Sequence, residues 1–480
     1  MVLTVPQMLE AERRAFAAGA SAESLMEDAG KHIAACVAQF HSRPGHCLVF
    51  AGKGHNGGDV LVAARHLAAM GWGIELSNVF PRSELAPLTA RQFDLLKPCE
   101  KKSRRPLVVL DGLLGIGAKG EPRGAVASAI QSINRFRDEE AAWVLSADIP
   151  SGLGSSLCVV ADATVTIGFA KAPLLEDAAT DFVGRLMVAP LDALEPPAEA
   201  DQAEILCSHN LRRLLPPRHF EMHKGMCGRV AIAAGSAEHP GAARLCSAAA
   251  VAGGAGLVTL FIPQECLATF SSATIPEVMV SPLESAADVL GKRFDALAIG
   301  PGFGRNRDGL ALDLVRDFPG PCVVDADALN AVSTDIEVLE SSAGPRLLTP
   351  HPLEMQRLFL RESRGRRKWL EDFTSNYPVC LLLKGARTLI GESGSPPAYN
   401  TTGHPGMATG GMGDVLTGVA AALLAQGKSS LDAAKLAAWV CGRSAELALR
   451  DCGASQESLR AWNVVEFLGA GFRDLRDGVY

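Results

Sequence analysis

Within residues 400–418, Asn-Thr-Thr-Gly-His-Pro-Gly-Met-Ala-Thr-Gly-Gly-Met-Gly-Asp-Val-Leu-Thr-Gly, six glycines accompany a single carboxylate, Asp414, directly ahead of an alanine-rich apolar run that continues to Ala425. A glycine-dense turn that opens a helix aims unpaired backbone N–H groups at one point. The helix dipole makes that point attractive to a phosphate or a developing oxyanion. A carboxylate inside such an anion hole is a poor structural choice but a good general base for a hydroxyl that attacks, or leaves as, a phosphoryl group. Asp414 is therefore the first candidate for a catalytic residue, with the N–H groups of Gly411 to Gly413 holding charge. A flexible loop before a capped helix would not need glycine at 406, 410, 411 and 413 together.

Lys384-Gly385-Ala386-Arg387-Thr388 follows the apolar run Val379 to Leu383. A lysine there can reach a nucleotide phosphate while its glycine neighbour lets the backbone approach; alone, the pair reads more readily as a solvated strand end, and it gains weight beside the 400–418 loop. The sequence has no Gly-x-x-x-x-Gly-Lys-Ser/Thr and no protein-kinase motif set, so a nucleotide would be held by the Lys384 and Gly413 regions. His351 and Glu354 have metal-ligand spacing, but Pro350 and Pro352 flank the histidine and favour a turn whose neutral imidazole contacts a ligand. Asp325 and Asp327 either hold magnesium or end a strand and cap the next helix. In the first half, Asn56-Gly57-Gly58-Asp59 sets backbone donors, a carboxamide and a carboxylate at a helix start. Asn56, Asp111 and Ser151 offer oxygen ligands suited to a hard cation. Gly115-Ile116-Gly117-Ala118-Lys119-Gly120-Glu121 is a second anion-binding loop, not a dinucleotide fingerprint, because Glu121-Pro122-Arg123-Gly124 breaks that pattern.

These motifs sit where strands should end. His46 to Ala51, Leu107 to Leu110, Trp143 to Ser146 and Thr164 to Ile167 read as parallel strands with crossover helices; ligands collect at the carboxyl ends of such strands. Beyond residues 192–203, whose two prolines and four acids read as a linker, the strands are Arg229 to Ala234, Leu257 to Ile262, Asp295 to Ile299, Cys322 to Val324, Arg346 to Leu348 and Val379 to Leu383. With 480 residues, two α/β domains divided near 205 are expected.

A formal charge of −7 argues against a nucleic-acid surface or a polybasic membrane anchor. The basic cluster Arg361, Arg364, Arg366, Arg367 and Lys368 reads as a solvated segment. None of the 12 cysteines forms Cys-x-x-Cys, so they read as small buried hydrophobes in a reducing compartment. Without a signal-like N-terminus or a long apolar run, a cytoplasmic enzyme with small-molecule substrates is expected, as a homo-oligomer.

With these motifs in order, the chain resembles the bifunctional NAD(P)H-hydrate repair enzymes. The resemblance rests on Leu25 to Gly30, Gly52 to Asp59, Asp148 to Gly152, His223-Lys224-Gly225 with Gly235-Ser236, Gly300 to Gly304, Thr349 to Pro352, Lys384-Gly385 and Gly403 to Gly418. It implies a Rossmann-like three-layer α/β epimerase domain over 1–205 and a ribokinase-like α/β dehydratase domain over 206–480. The first would interconvert the R and S hydrates of NADH and NADPH (NADHX and NADPHX), and the second would dehydrate the S epimer with ADP or ATP and Mg2+. Carried over residue by residue, the first-domain hydrate site is His55, Asn56, Gly57, Gly58, Asp59, Gly115 to Glu121 and Asp148, the last also catalytic. Asn56, Asp111 and Ser151 would hold K+. In the second domain the hydrate would meet Ala243, Gly302, His351 and Asp414, and the nucleotide would meet Lys384 to Thr388 and Gly413. The sequence departs from the family pattern at His55, Val60, Leu353 and His404. A ribokinase-like small-molecule kinase and a non-catalytic nucleotide-binding protein are the rival readings.

Overall fold

The computed structural model describes residues 1–77, 79–97, 105–360 and 365–480, leaving aside the side chains of 272 and 273. Cys99, Arg361 and Arg364 lie outside the described residues. The chain divides into two compact units, Met1–Ile205 with Tyr480, and Leu206–Val479.

The first unit is built on a six-stranded sheet in the order Gly73–Ser77, His46–Ala51, Leu107–Gly112, Trp143–Ala147, Ala163–Ile167, Arg185–Ala189, all parallel. Alternate side chains of each strand enter opposite cores. Cys47, Val49, Val108 and Leu110 pack with Ile33, Val37, Leu61 and Leu67 of helices Ala22–Phe40 and His55–Ala69. Leu48, Phe50, Leu107 and Val109 pack with Ile130 and Ile133 of helix Gly124–Glu140. Both faces are covered, which is why these strands read as unbroken apolar runs. The chain turns from one side of the sheet to the other between His46–Ala51 and Leu107–Gly112, where a doubly wound sheet opens a ligand crevice.

Residues 192–203 are not a free linker. Leu194 and Ala200 are buried in a small core with Leu3, Met8 and Ala15, which brings the helix Val5–Ala17 onto this segment. That helix follows a two-residue strand, Val2–Leu3, paired in parallel with Ala170–Lys171, and its start is fixed by a capping box between Thr4 and Gln7.

In the second unit the order is Val278–Pro282, Leu257–Ile262, Arg229–Ala233, Ala296–Ile299, Cys322–Val324, Arg346–Leu348, Val379–Leu383, all parallel, extended by antiparallel Thr388–Gly391 and Ala398–Asn400. The helix Met412–Ala425 is buried from Val415 to Ala425 and crosses the helix Pro240–Ala252. The crossing is close because a Cβ at Gly418 would lie 2.1 Å from the Cys246 carbonyl oxygen. The alanine-rich run is thus a packing requirement of the helix that presents Asp414.

Among the described residues no helix is long and apolar enough to cross a membrane. Among the described residues nine free cysteines are buried, while Cys207 is half-buried and Cys452 exposed, so the reading of the cysteines as buried hydrophobes fails for those two.

Candidate active sites

In the first unit the strand ends surround a cleft of about 640 Å³, lined by His55, Asn56, Asp59, Gly115, Ile116, Gly117, Ala118 and Asp148. Asn56 and Asp59 fall on one face of the first turns of helix His55–Ala69, which starts directly after the strand His46–Ala51. Asp148 follows the strand Trp143–Ala147 with φ +64°, a left-handed backbone that a non-glycine residue adopts at a cost of order 1–3 kcal/mol and that clusters at functional sites. Its carboxylate is ion-paired with Lys171, a fully buried lysine that also donates to the Ile167 carbonyl (2.7 Å) and Thr166 Oγ1 (3.1 Å). The Ile167 N–H donates to the same carboxylate at 3.1 Å. Burial, then the neighbouring Asp148 and Glu12 charges, push the Asp59 carboxyl well above its usual range, with Lys171 opposing.

Asn56, Asp111 and Ser151 converge behind this cleft. Ser151 donates to Asp111 through Oγ (2.6 Å) and its backbone N–H (2.9 Å), Ser146 Oγ donates at 2.8 Å, and Leu114 N–H donates to Ser151 Oγ at 3.0 Å. Burial raises the Asp111 pKa even against these donors. The Asn56 amide donates to the Leu114 carbonyl (2.8 Å), which leaves its Oδ1 buried without a donor. A buried carboxylate, a hydroxyl and an orphaned amide oxygen form a donor set that fits a hard cation.

In the second unit the helix Met412–Ala425 begins at Gly411, whose φ of +92° makes the sharp entry, and carries Asp414 in its first turn. Lys384, after the strand Val379–Leu383, places its Nζ 2.7 Å from Asp325 Oδ1 and 3.8 Å from Glu354 Oε2. Thr417 Oγ1 donates to the other Asp325 oxygen at 2.8 Å. A Cβ at Gly413 would lie 3.3 Å from Lys384 Nζ, so the glycine keeps the space between helix start and ammonium open. Burial and the Asp325 charge push the Asp414 pKa up to about 7, against the pull of Lys384. Burial alone would raise Asp325 too, but Lys384 together with Thr417 holds it below its usual value. His351 caps the helix Pro352–Leu358: its Nδ1 accepts from Leu353 N (3.1 Å) and Glu354 N (3.2 Å), so its Nε2 is the edge left for a ligand or for Glu354 at 3.5 Å. The result is a poised carboxyl, an ammonium and bare helix N–H groups at one place, which is what phosphoryl transfer to a hydroxyl needs.

Several expected contacts are corrected. Gly57 and Gly58 do not line the cleft: their hydrogens allow close packing, since a Cβ would lie 2.1 Å from the Gly52 oxygen and 2.4 Å from Met26 Cε, respectively. Lys119 and Gly120 are exposed outside the cleft, and Glu121 instead accepts from Ser156 N and Oγ (3.1 and 2.7 Å). Ala243 is fully buried and shapes the floor under Gly235. The Arg387 side chain is 2% exposed, Thr388 Oγ1 donates to the Gly385 carbonyl (3.1 Å), and Gly385 and Ala386 are left as the exposed part of that loop. Asp325 is engaged by Lys384, and Asp327 accepts from Gly304 N at 2.9 Å. Arg366 is no solvated residue of a basic cluster: it donates to the Arg387 carbonyl at 2.9 Å and lies over Gly385. Glu12 and Lys171, which no motif marked, line the first cleft. The small residue pattern of helix Val5–Ala17, with Met8 and Glu12 one turn apart, was the available signal.

An α/β unit with an acid-lined cleft joined to an α/β unit with a glycine-opened helix start beside a lysine defines a two-site enzyme of small-molecule chemistry. Residues 230–465 match the family described as NAD(P)H-hydrate dehydratase, and residues 22–172 match the family described as YjeF-related protein N-terminus. The bifunctional NAD(P)H-hydrate repair enzyme of Moorella thermoacetica is 33% identical over 95% of this chain and 93% of its own, and that of Gloeobacter violaceus is 34% identical over 97% of each. The ADP/ATP-dependent NAD(P)H-hydrate dehydratase of Bacillus subtilis, co-crystallised with ATP/Mg2+, is 26% identical with a TM-score of 0.51 over 57% of this chain and 100% of that one. A ribokinase-like superfamily protein of Enterococcus faecalis, 23% identical with a TM-score of 0.50 over 58% of this chain and 99% of that one, shares the fold. The chain belongs to the family of bifunctional NAD(P)H-hydrate repair enzymes, an NAD(P)HX epimerase domain fused to a ribokinase-like NAD(P)HX dehydratase domain.

Proposed function

We propose that Asp414 is the base of nucleotide-dependent dehydration of the S hydrate, and that Asp148 is the base of R/S epimerisation. The observation that carries the first assignment is a carboxyl with its pKa near 7 at the start of a buried helix, beside Lys384. Hydroxide is a poor leaving group. Asp414 takes the proton of the ring C6 hydroxyl as its oxygen attacks the terminal phosphoryl of ADP or ATP, and the N–H groups of Gly411 to Gly413 hold the developing charge. The ring nitrogen's electron pair then expels phosphate, and loss of a proton from the neighbouring carbon regenerates NADH or NADPH. Lys384, Gly385, Ala386 and Gly413 face the nucleotide; Gly302 and the Nε2 edge of His351 face the hydrate. Among the described residues no group of three or more His, Cys, Asp or Glu side chains is placed to hold a metal ion, so Mg2+ would come in with the nucleotide's phosphate oxygens and water.

In the first unit His55, Asn56, Asp59, the loop Gly115 to Ala118 and Asp148 line the hydrate site. Asn56 Oδ1, Asp111 and Ser151 would hold K+, which would fix the start of helix His55–Ala69 against the Leu114 loop and supply positive potential at the cleft floor. Buried free thiols suit a cytoplasmic setting.

The test is an epimer-resolved assay. A mixed R/S hydrate supplied with ATP/Mg2+, ADP/Mg2+ or neither should lose both epimers only with nucleotide, with return of reduced-nicotinamide absorbance and no lasting phosphate ester. Accumulation of a stable ester would make the second unit a kinase and overturn the reading.

A further inference from the structure

The epimerase chemistry needs two proton-transfer groups, because the reacting carbon carries both the hydroxyl and the ring nitrogen. Asp148, paired with Lys171, supplies one. Besides Asp148 and Asp59, the cleft contains a third carboxylate, which the family assignment leaves without a role. Glu12 stands one helical turn beyond Met8 on helix Val5–Ala17, and both side chains line the cleft. Among the described residues no hydrogen-bond donor or ion-pair partner meets its carboxylate. Its position is tied to the base: the strand Val2–Leu3 pairs Leu3 with Lys171, the lysine that holds Asp148, and one residue later Thr4 caps the helix that bears Glu12. Asp59, 8% exposed and likewise without a hydrogen-bond donor among the described residues, lines the same cleft.

We propose that Glu12 is the second catalytic residue of epimerisation, the proton donor to the ring nitrogen opposite Asp148. This rests on Asp148 as the base. Asp148 removes the hydroxyl proton; the C6–O pair becomes a carbonyl, the C6–N1 bond breaks with its electrons passing to N1, and Glu12 protonates that nitrogen. Rotation about the C5–C6 bond presents the other carbonyl face. N1 then attacks C6, Glu12 takes its proton back, and Asp148 returns a proton to oxygen. No electron, water or proton is gained or lost overall, so no co-reactant is required. Burial raises the Glu12 pKa, and Asp148 raises it further, against Lys171 and His55, which suits a group that must arrive protonated. The charged and titratable groups that line the cleft with it are Asp148, Lys171, His55, Asp59 and Lys53.

Full-length Glu12→Gln, Glu12→Asp and Asp148→Asn proteins, each with an unchanged thermal melt, are given the R epimer without nucleotide, and appearance of S is followed. Glu12→Gln should lower kcat by about 100-fold with little change in KM and abolish the high-pH decline of kcat/KM, and Glu12→Asp should recover about tenfold of that loss. An active Glu12→Gln with a wild-type pH profile beside an inactive Asp148→Asn overturns this proposal. An inactive Glu12→Gln beside an active Asp148→Asn instead removes the base and leaves the Glu12 assignment standing.

Discussion

As the proposed base, Asp414 is placed where folding and catalysis ask for opposite charge states. Its ordinary pKa of 3.8 is raised to about 7 by burial and by Asp325, so the folded chain favours the protonated acid. That contribution to stability is full below about pH 4 and is lost as pH rises through about 7. Catalysis runs the other way, since only the carboxylate accepts a proton. In the dehydration assay kcat/KM should therefore climb tenfold per pH unit below pH 7 and level off above it. Asp414→Asn removes the ionisation while keeping the shape. It should lower kcat by about 10² to 10⁴-fold and yet raise Tm at pH 8 by about 2–4 °C, for roughly 1 kcal/mol of relieved charge burial. Calorimetry and turnover measured on one preparation check both; an Asn variant that is both inactive and less stable would mean that the carboxylate is a structural cap.

At the scale of elements, the helix start carrying that acid makes two distinct demands on glycine. Gly411 has φ +92°, and a Cβ there would lie 2.6 Å from Leu245 Cδ1, so Gly411→Ala should cost about 1–3 kcal/mol in urea unfolding. Gly413 is already helical, and its Cβ would point at Lys384 Nζ, 3.3 Å away, in the space the proposed nucleotide phosphate would occupy. Gly413→Ala should leave stability near wild type, because alanine favours helices by about 1 kcal/mol, while raising the nucleotide KM at least about tenfold. Urea titration and nucleotide saturation curves separate the two. This division also shows what a sequence can reveal. The parallel strands were legible because burial on both faces makes them continuous apolar runs, as in Val379–Leu383. Gly73–Ser77, Arg185–Ala189 and Val278–Pro282 were not: they lie toward the ends of their sheets, with exposed or charged residues among them. Motif glycines gave the site's location but not each glycine's purpose: Gly57 lets its helix start sit against the Gly52 backbone, and Gly58 lets Met26 of the neighbouring helix approach. Lys171 was hidden for a different reason: a charge that is wholly buried by tertiary partners looks, in sequence, like any surface lysine.

For the whole molecule, the point of one chain carrying both chemistries follows from stereochemistry: a dehydratase that accepts only the S epimer leaves half of a mixed hydrate behind unless something inverts it. The two activities should then be separable by single substitutions in different units. With mixed hydrate and ATP/Mg2+, wild-type protein should clear the pool in one continuous phase. Asp148→Asn should consume the S half at the wild-type rate and then stall at the pace of uncatalysed inversion, giving a two-phase curve with equal amplitudes. Asp414→Asn should equilibrate the epimers and regenerate no reduced cofactor. Replacing K+ by Li+ offers a milder version of the first result, because the smaller ion cannot span the oxygens of Asn56, Asp111 and Ser151 as K+ would. It should slow epimerisation alone, by about tenfold, and so split the wild-type curve into a first phase at the K+ rate and a slower second one. A slowed first phase in Li+ would place the ion's effect in the dehydratase unit and remove the cation assignment from the first.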